Sequence, residues 1–356
     1  MKTYRDFLVE AAEGPRIPHP EDSVFQGSAE ALKWLAAMKS AVTNPQSITI
    51  KWDGMIALYF GRDAQGNFFI ADKYMPAKNV FPKSPNEWIE YDRSRGANRA
   101  DLYAKINAIW PGLEAAVGRS TGTFKGDLMF IGPLQPINGQ FVFKPVTVEY
   151  HVPVDSNLGK MINGRVALIV VHNYNNSPWN GQGLNSNQQV AVIPPNMGIQ
   201  FRLKEPAKLS SQAEAMLSRY GNQLDIFLHG LSKTARDALQ KYVMHFKVGK
   251  TKAPLAEWLK TEVSAKQYTQ LIGNNDGYLI ENRAMLDVLF KTWTAVASYK
   301  ENLAQQLEKQ VQGFQQFVNG SPQGEGFVIP TSMGLLKLVQ RGGFSAAHFA
   351  GFNAKK

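Results

Sequence analysis

The chain has 356 residues, enough for one large domain or two ordinary ones, and its 44% hydrophobic content supports a real core. It contains no cysteine, which excludes disulfides, cysteine-ligated zinc and thiol catalysis, and none of its 6 histidines forms a His-x-x-x-His pair, so a zinc hydrolase is not expected. The formal charge of +10, from 39 Lys and Arg against 29 Asp and Glu, favours a polyanionic partner, nucleic acid above all, through counterion release.

The opening residues "MKTYRDFLVEAAEGPR" lack the apolar core of a signal peptide, and no window reaches the unbroken apolar length of a membrane span. A cytoplasmic protein without a membrane partner is therefore expected. "YRDFLVEAA" reads as a short helix, followed by the Pro-rich "GPRIPHPED". The spacing of Leu32, Leu35, Ala36 and Met38 predicts a helix over 27–42, with Ser28 as its N-cap. Strands are expected from 47 to about 205: "SITIKW", "IALYFG", "FFIADKY", "TFKGDLMF", "QFVFKP", "TVEYHVPV", "RVALIVVHNY" and "QQVAVIP". Asp53-Gly54 reads as a tight turn between the first two. One helix, "RADLYAKINAIWPGLEAAV", interrupts them.

From 207 the period becomes helical, in "SSQAEAMLSRYGNQLDIFLHG", "SKTARDALQKYVMHFKV", "PLAEWLKTEV" and a long segment from "YLIENRAML" to "QGFQQFV". Residues 321–345 return to strand in "GEGFVIPTS" and "LLKLVQRGGFS". The expected organisation is an α+β body of residues 1–206 plus 319–356, with a helical insertion subdomain at 207–318.

Charged residues interrupt the apolar strands: Lys51 and Asp53, Lys73, Asp127, Glu325, and Lys337 with Arg341 just beyond it. A charge beside a buried run is costly unless it is paired or used. A lysine nucleophile needs its ammonium deprotonated, carboxylates can hold a divalent metal against phosphate oxygens, and further lysines can neutralise a triphosphate and its leaving pyrophosphate. The set suits covalent nucleotidyl transfer to lysine. Neither a Gly-x-x-x-x-Gly-Lys-Ser/Thr loop nor a Gly-x-Gly-x-x-Gly fingerprint is present.

The order of these motifs resembles that of the covalent nucleotidyltransferases, the ATP-dependent DNA and RNA ligases and mRNA capping enzymes. "KWDG" at 51–54 is similar to their Lys-x-Asp-Gly motif, "FKGDLMF" to the third motif, "VEYHVPVD" to the strand that stacks on adenine, "EGFVI" to the fourth motif and "LLKLV" to the fifth. The chain also resembles a group of tailed-phage proteins with "HPED", "KWDG", "GDLMF" and "VPVDS". It departs from the family pattern at Ile56, where an arginine is usual, and at Val339, where a second lysine is usual.

The resemblance implies a ligase-type nucleotidyltransferase fold (ATP-grasp-like, two-sheet). With 15 residues after Arg341, a C-terminal OB-fold is not expected. It implies Lys51 as nucleophile with Lys337 as second catalytic lysine. Ile50, Trp52, Asp53, Gly54, Lys73, Tyr150 and Arg341 would contact ATP, and Asp127 and Glu325 would position Mg²⁺ or Mn²⁺. The implied partner is a nicked duplex or RNA ends, in the host cytoplasm if the chain is phage-encoded.

Three readings stay open: a polynucleotide ligase, a nucleotidyltransferase acting on a protein or small molecule, and a catalytically silent nucleic-acid-binding or virion-associated protein. Lys73 also reads as a solvated strand end and Tyr150 as core. His151 and His172 read as satisfied core histidines, and Phe290, Trp293 and Tyr299 as helix packing.

Overall fold

The computed structural model describes residues 19–43, 48–197, 201–247, 282–331 and 333–340. Contacts divide them into two units. One holds the described residues of Lys51–Ile199 and Val311–Gly324, the other those of Ile17–Ile50, Gln200–Gln310 and Glu325–Lys356. Each combines helix and strand, so the chain is a mixed α+β protein. The expected helices at "YRDFLVEAA" and "PLAEWLKTEV" lie outside the described residues.

The second unit begins with a 3₁₀ turn, Pro20–Gln26, and α1, Ser28–Thr43. β1, Thr49–Ile50, follows. In the first unit come β2 (Ile56–Arg62) and β3 (Phe68–Asp72), then α2 (Pro85–Ser94) and α3 (Ala100–Val117). β4 (Gly122–Ile131), β5 (Gln140–Phe143), β6 (Glu149–Pro153) and α4 (Asn157–Ile162) lead to β7 (Ala167–Tyr174), β8 (Ser177–Pro178) and β9 (Val190–Ile193).

β2, β3, β4, β7 and β8 form one antiparallel array in the order β3-β2-β4-β7-β8, with β9 parallel to β7. Leu58, Tyr59 and Phe60 of β2 and all of β3 are buried, the pattern of strands covered on both faces. Ile106, Ile109 and Leu113 of α3 and Trp88 of α2 join their core.

α2 is a helix that the sequence reading did not anticipate. Its signal is a capping arrangement in "SPNE": the Ser84 hydroxyl accepts from Glu87 N at 3.2 Å, Pro85 takes the first turn, and the Glu87 carboxylate accepts from Lys83 N at 2.9 Å. A second sheet in this unit has the order β11-β10-β6-β5, with β10 at Gln315–Val318 and β11 at Ser321–Pro322. "QGFQQFV" was expected to prolong a helix. Instead the chain is extended there, and Gln316 pairs opposite Tyr150.

In the second unit β1 pairs with β12 (Phe327–Thr331), which pairs with β13 (Gly334–Leu338). Ile50, Phe327 and Leu338 are opposite one another in register and fully buried, whereas the row Thr49, Val328 and Lys337 is half-buried. α1 packs on β12, and the long α7 (Arg283–Glu308) packs on β13. α5 (Ala207–His229) lies against both α1 and α7, and α6 (Lys233–Lys247) follows it. The helices between 207 and 308 thus share a unit with α1 and the β1-β12-β13 sheet.

Ser28 does not cap α1 as expected. Its N–H and hydroxyl donate to the two carboxylate oxygens of Asp225 on α5, at 2.7 and 2.6 Å. A carboxylate from a neighbouring helix does the capping and ties the two helices together.

Lys300 of α7 donates to Glu21 at 2.5 Å, and both side chains are fully buried. Removing one side chain deprives the other buried charge of this ion pair, at a cost of about 3–5 kcal/mol. Urea unfolding of Lys300→Met should show a loss of that order, and the Glu21→Leu/Lys300→Met double variant should recover much of it. A double variant no more stable than the single one would contradict this account.

Candidate functional site

Lys51 follows Ile50 directly and is half-buried. Asp53-Gly54 was expected to turn a hairpin between the flanking strands. It does not, because β1 pairs with β12 whereas β2 pairs with β3 and β4. The β2–β3 hairpin is closed elsewhere, where Asp63 Oδ1 accepts from Gln65 N at 3.0 Å and Asn67 N at 2.8 Å.

What Asp53 does is anchor the chain. Its Oδ2 accepts from Thr147 N at 2.5 Å and Val148 N at 2.8 Å, and its own N–H donates to Tyr150 Oη at 2.9 Å. Trp52, also buried, donates through Nε1 to Pro195 O at 3.0 Å. Its ring stacks with Tyr150 and Phe314 at centroid separations of 5.2 and 4.9 Å, and Tyr150 stacks with Phe143 at 5.1 Å. Tyr150 has 0% exposure. Of the two readings of this residue, adenine platform and core, the geometry here is that of core.

Gly54 has a different reason to be glycine. A Cβ placed there would come within 2.5 Å of Asp127 Cβ and 3.3 Å of Leu128 O. Met55 N donates to Leu128 O at 2.8 Å, so the end of "KWDG" lies flush against "GDLMF". Asp127 is a quarter exposed, and its Oδ2 accepts from His172 Nε2 at 2.9 Å.

A cavity of about 850 Å³ opens here, lined by Gly54 to Ala57, Asp72 to Tyr74, Asn98 to Leu102, Lys105, Asp127 and Leu128. Its charged lining is three acids, Asp72, Asp101 and Asp127, and three cations, Lys73, Arg99 and Lys105. Lys73 follows β3 directly and lies over the Tyr74 ring at 4.8 Å, and Tyr74 is 58% exposed. Among the described residues no group of three or more His, Asp or Glu could hold a metal. Magnesium is commonly held by one or two carboxylates together with substrate phosphates, and a lone carboxylate such as Asp127 fits an ion that arrives with a triphosphate.

Arg99, at the start of α3, is held by Asp92, which does not line the cavity. It donates to both oxygens of buried Asp92, which also receives Arg95 at 2.8 Å and Tyr103 Oη at 3.0 Å. Burial alone would raise the Asp92 pKa. The hydrogen bonds from Arg99, Tyr103 and Arg95 outweigh it and hold the carboxyl below the usual range. Arg99 is raised in turn, chiefly by its bond to Asp92. Sequence reasoning missed Arg99 and Lys105, because helix-borne basic residues carry no strand-interrupting signal.

The remaining expected residues belong to the second unit. Ile50 is buried in β1, Glu325 is 9% exposed just before β12, and Lys337 is half-buried on β13 opposite Val328. Lys51, Gly54, Lys73, Asp127 and Tyr150 belong to the first. Arg341 lies outside the described residues.

Fold and site together define a mixed α+β protein with a charged, mixed-sign cavity at the end of its larger sheet. The chain belongs to the family of unknown function DUF6267, whose model matches residues 16–356. No curated protein and no solved structure matches it. Among the described residues no helix is long and apolar enough to cross a membrane.

Two expectations follow. Gly54→Ala should force the strands apart and lower stability by about 1–3 kcal/mol, read as a lower thermal midpoint; an unchanged midpoint would refute the close-packing argument. The second concerns pH. Because the folded-state pKa of Asp92 is depressed, its contribution is complete above the unfolded value of about 3.9 and is lost as pH falls through the lower folded value. The wild type should therefore lose stability on acidification below about pH 4 more steeply than Asp92→Asn; parallel curves would contradict the sign.

Proposed function

We propose that this chain is a covalent nucleotidyltransferase of the ligase type, joining polynucleotide ends with ATP through a lysyl-AMP intermediate on Lys51. The observation that carries the reading is the sheet order β1-β12-β13. The strand that runs into Lys51 is paired with the strand of "EGFVI", and that strand with the one bearing Lys337. The strand that precedes "KWDG" and the strands of "EGFVI" and "LLKLV", far apart in sequence, are neighbours in one ladder. The packing of Gly54 on Asp127 supports the same reading for the third motif.

In this scheme Lys51 Nζ attacks the α-phosphorus of ATP after losing its proton, a P–N bond forms, and the bond to the β-phosphate breaks to release pyrophosphate. The cavity bearing Lys73, Arg99 and Asp127 would take the nucleotide, its cations facing phosphate oxygens, and Asp127 would hold Mg²⁺ or Mn²⁺. The metal supplies charge neutralisation at the phosphates. The P–N bond would then break as a 5′-phosphate oxygen takes the AMP, and the 3′-hydroxyl, losing its proton to solvent, would attack that phosphate and release AMP, sealing the strand. The charge of +10 favours nucleic acid as acceptor over a protein or small molecule.

The test is transfer of label from [α-³²P]ATP to the protein, followed by a chase with nicked duplexes and with 5′-phosphorylated RNA. Wild type should take up label and release it on the chase, and Lys51→Ala should take up none. Equal labelling of Lys51→Ala would end the assignment of the nucleophile. Label that nucleic acid cannot discharge would point to another acceptor, and no label at all to a silent binding protein.

A further inference from the structure

We propose that His172 is a positioning residue, holding the Asp127 carboxylate in the orientation with which it faces the cavity; this rests on the nucleotidyltransferase reading. The sequence places His172 in an apolar strand, where it reads as a core histidine. The structure puts it in a β-bulge. On β4 Gly126 is opposite Val171, and the next residue, Lys125, is opposite Asn173, so His172 is the extra residue on β7. A bulge re-aims a side chain that regular pairing would place differently.

Gly126 makes the bulge sterically feasible. A Cβ there would lie 2.6 Å from Val170 O and 3.0 Å from Ile169 Cγ2. The His172 carbonyl accepts from Trp179 N at 2.9 Å, which fixes the bulged residue from the other side.

Asp127 is thereby constrained at two points. Gly54 packs on its Cβ, and His172 Nε2 is 2.9 Å from its Oδ2. A carboxylate only accepts, so Nε2 is the donor. Asp127 lines the cavity and His172 does not. His172 therefore acts through Asp127, as outer-shell partners orient the carboxylates and imidazoles that hold metals. The third motif of this chain is then a four-part device: Gly126 admits the bulge, the bulge aims His172, His172 orients Asp127, and Gly54 backs it.

Wild type, His172→Ala and His172→Gln are compared, since glutamine can place an amide N–H near the position of Nε2. Two readouts are taken: Mn²⁺ binding by electron paramagnetic resonance with a non-hydrolysable ATP analogue, and the metal dependence of label transfer from [α-³²P]ATP. His172→Ala should need about tenfold more Mn²⁺ in both, and His172→Gln should stay within about threefold of wild type. Thermal midpoints serve as the folding control.

Wild-type metal dependence in His172→Ala would overturn the proposal, as would His172→Gln as weak as His172→Ala with both variants folded. Should wild type take no label while the Mn²⁺ difference between the variants persists, the ligase reading fails and the positioning role stands. Failure of wild type to bind Mn²⁺ with the analogue would remove both.

Discussion

Asp53 accepts two backbone N–H groups on one carboxylate oxygen and gives its own N–H to Tyr150, all at 7% exposure. These bonds dictate the path of the chain immediately after Lys51. A buried carboxylate is tolerable only when donors replace the water it has lost, and here the 147–148 backbone supplies them. With Asp53 pinned, Trp52 enters the aromatic cluster of Tyr150, Phe143 and Phe314, and Gly54 is delivered to Asp127. "KWDG" and "GDLMF" meet because one carboxylate is satisfied by backbone.

Close approach is the second theme of this unit. Gly54 and Gly126 each occupy a place where a methyl group would collide with a neighbouring strand or side chain. Both flank the same acid, one at its Cβ and one in the adjacent ladder position. The cavity beside that acid carries balanced charge, three acids and three cations. Such a lining suits a ligand that itself carries both signs better than a bare anion.

The second unit is held by different physics. Its sheet is a thin three-stranded ladder with one buried face, covered by α1 and α7, and its helices are joined by specific polar ties rather than by apolar contact alone. Asp225 caps α1, Lys39 pairs with Glu214 at 2.6 Å, Tyr299 donates to Glu205 at 2.8 Å, and Lys300 meets Glu21 in full burial. The fully buried Lys300–Glu21 pair does most to fix the packing, since an alternative arrangement would separate two buried charges. "HPED", a marker in the sequence, is thus the segment that presents Glu21 to α7.

Period and composition alone determined most of the elements: the strands β2 to β7 and β9, the helices α1, α3, α5 and α6, and the strands β12 and β13 follow from alternation or a 3.6-residue repeat, because those periods reflect which face is buried. The strand-interrupting charges also marked Asp53 and Asp127, for a charge beside an apolar run must have a partner. Local pattern misread what depends on distant chain. Asp53-Gly54 looked like a turn, yet its glycine answers to Asp127, 73 residues away (127 minus 54), and its aspartate to Thr147 and Val148. "QGFQQFV" continued a helical stretch in composition, yet it pairs with β6. His172 looked like core, and only the register slip opposite Gly126 turns it to Asp127. Sequence records which residues are apolar and which are charged; tertiary structure alone decides which backbone groups and carboxylates come within 3 Å of one another, because hydrogen bonding and steric contact act through space and not along the chain.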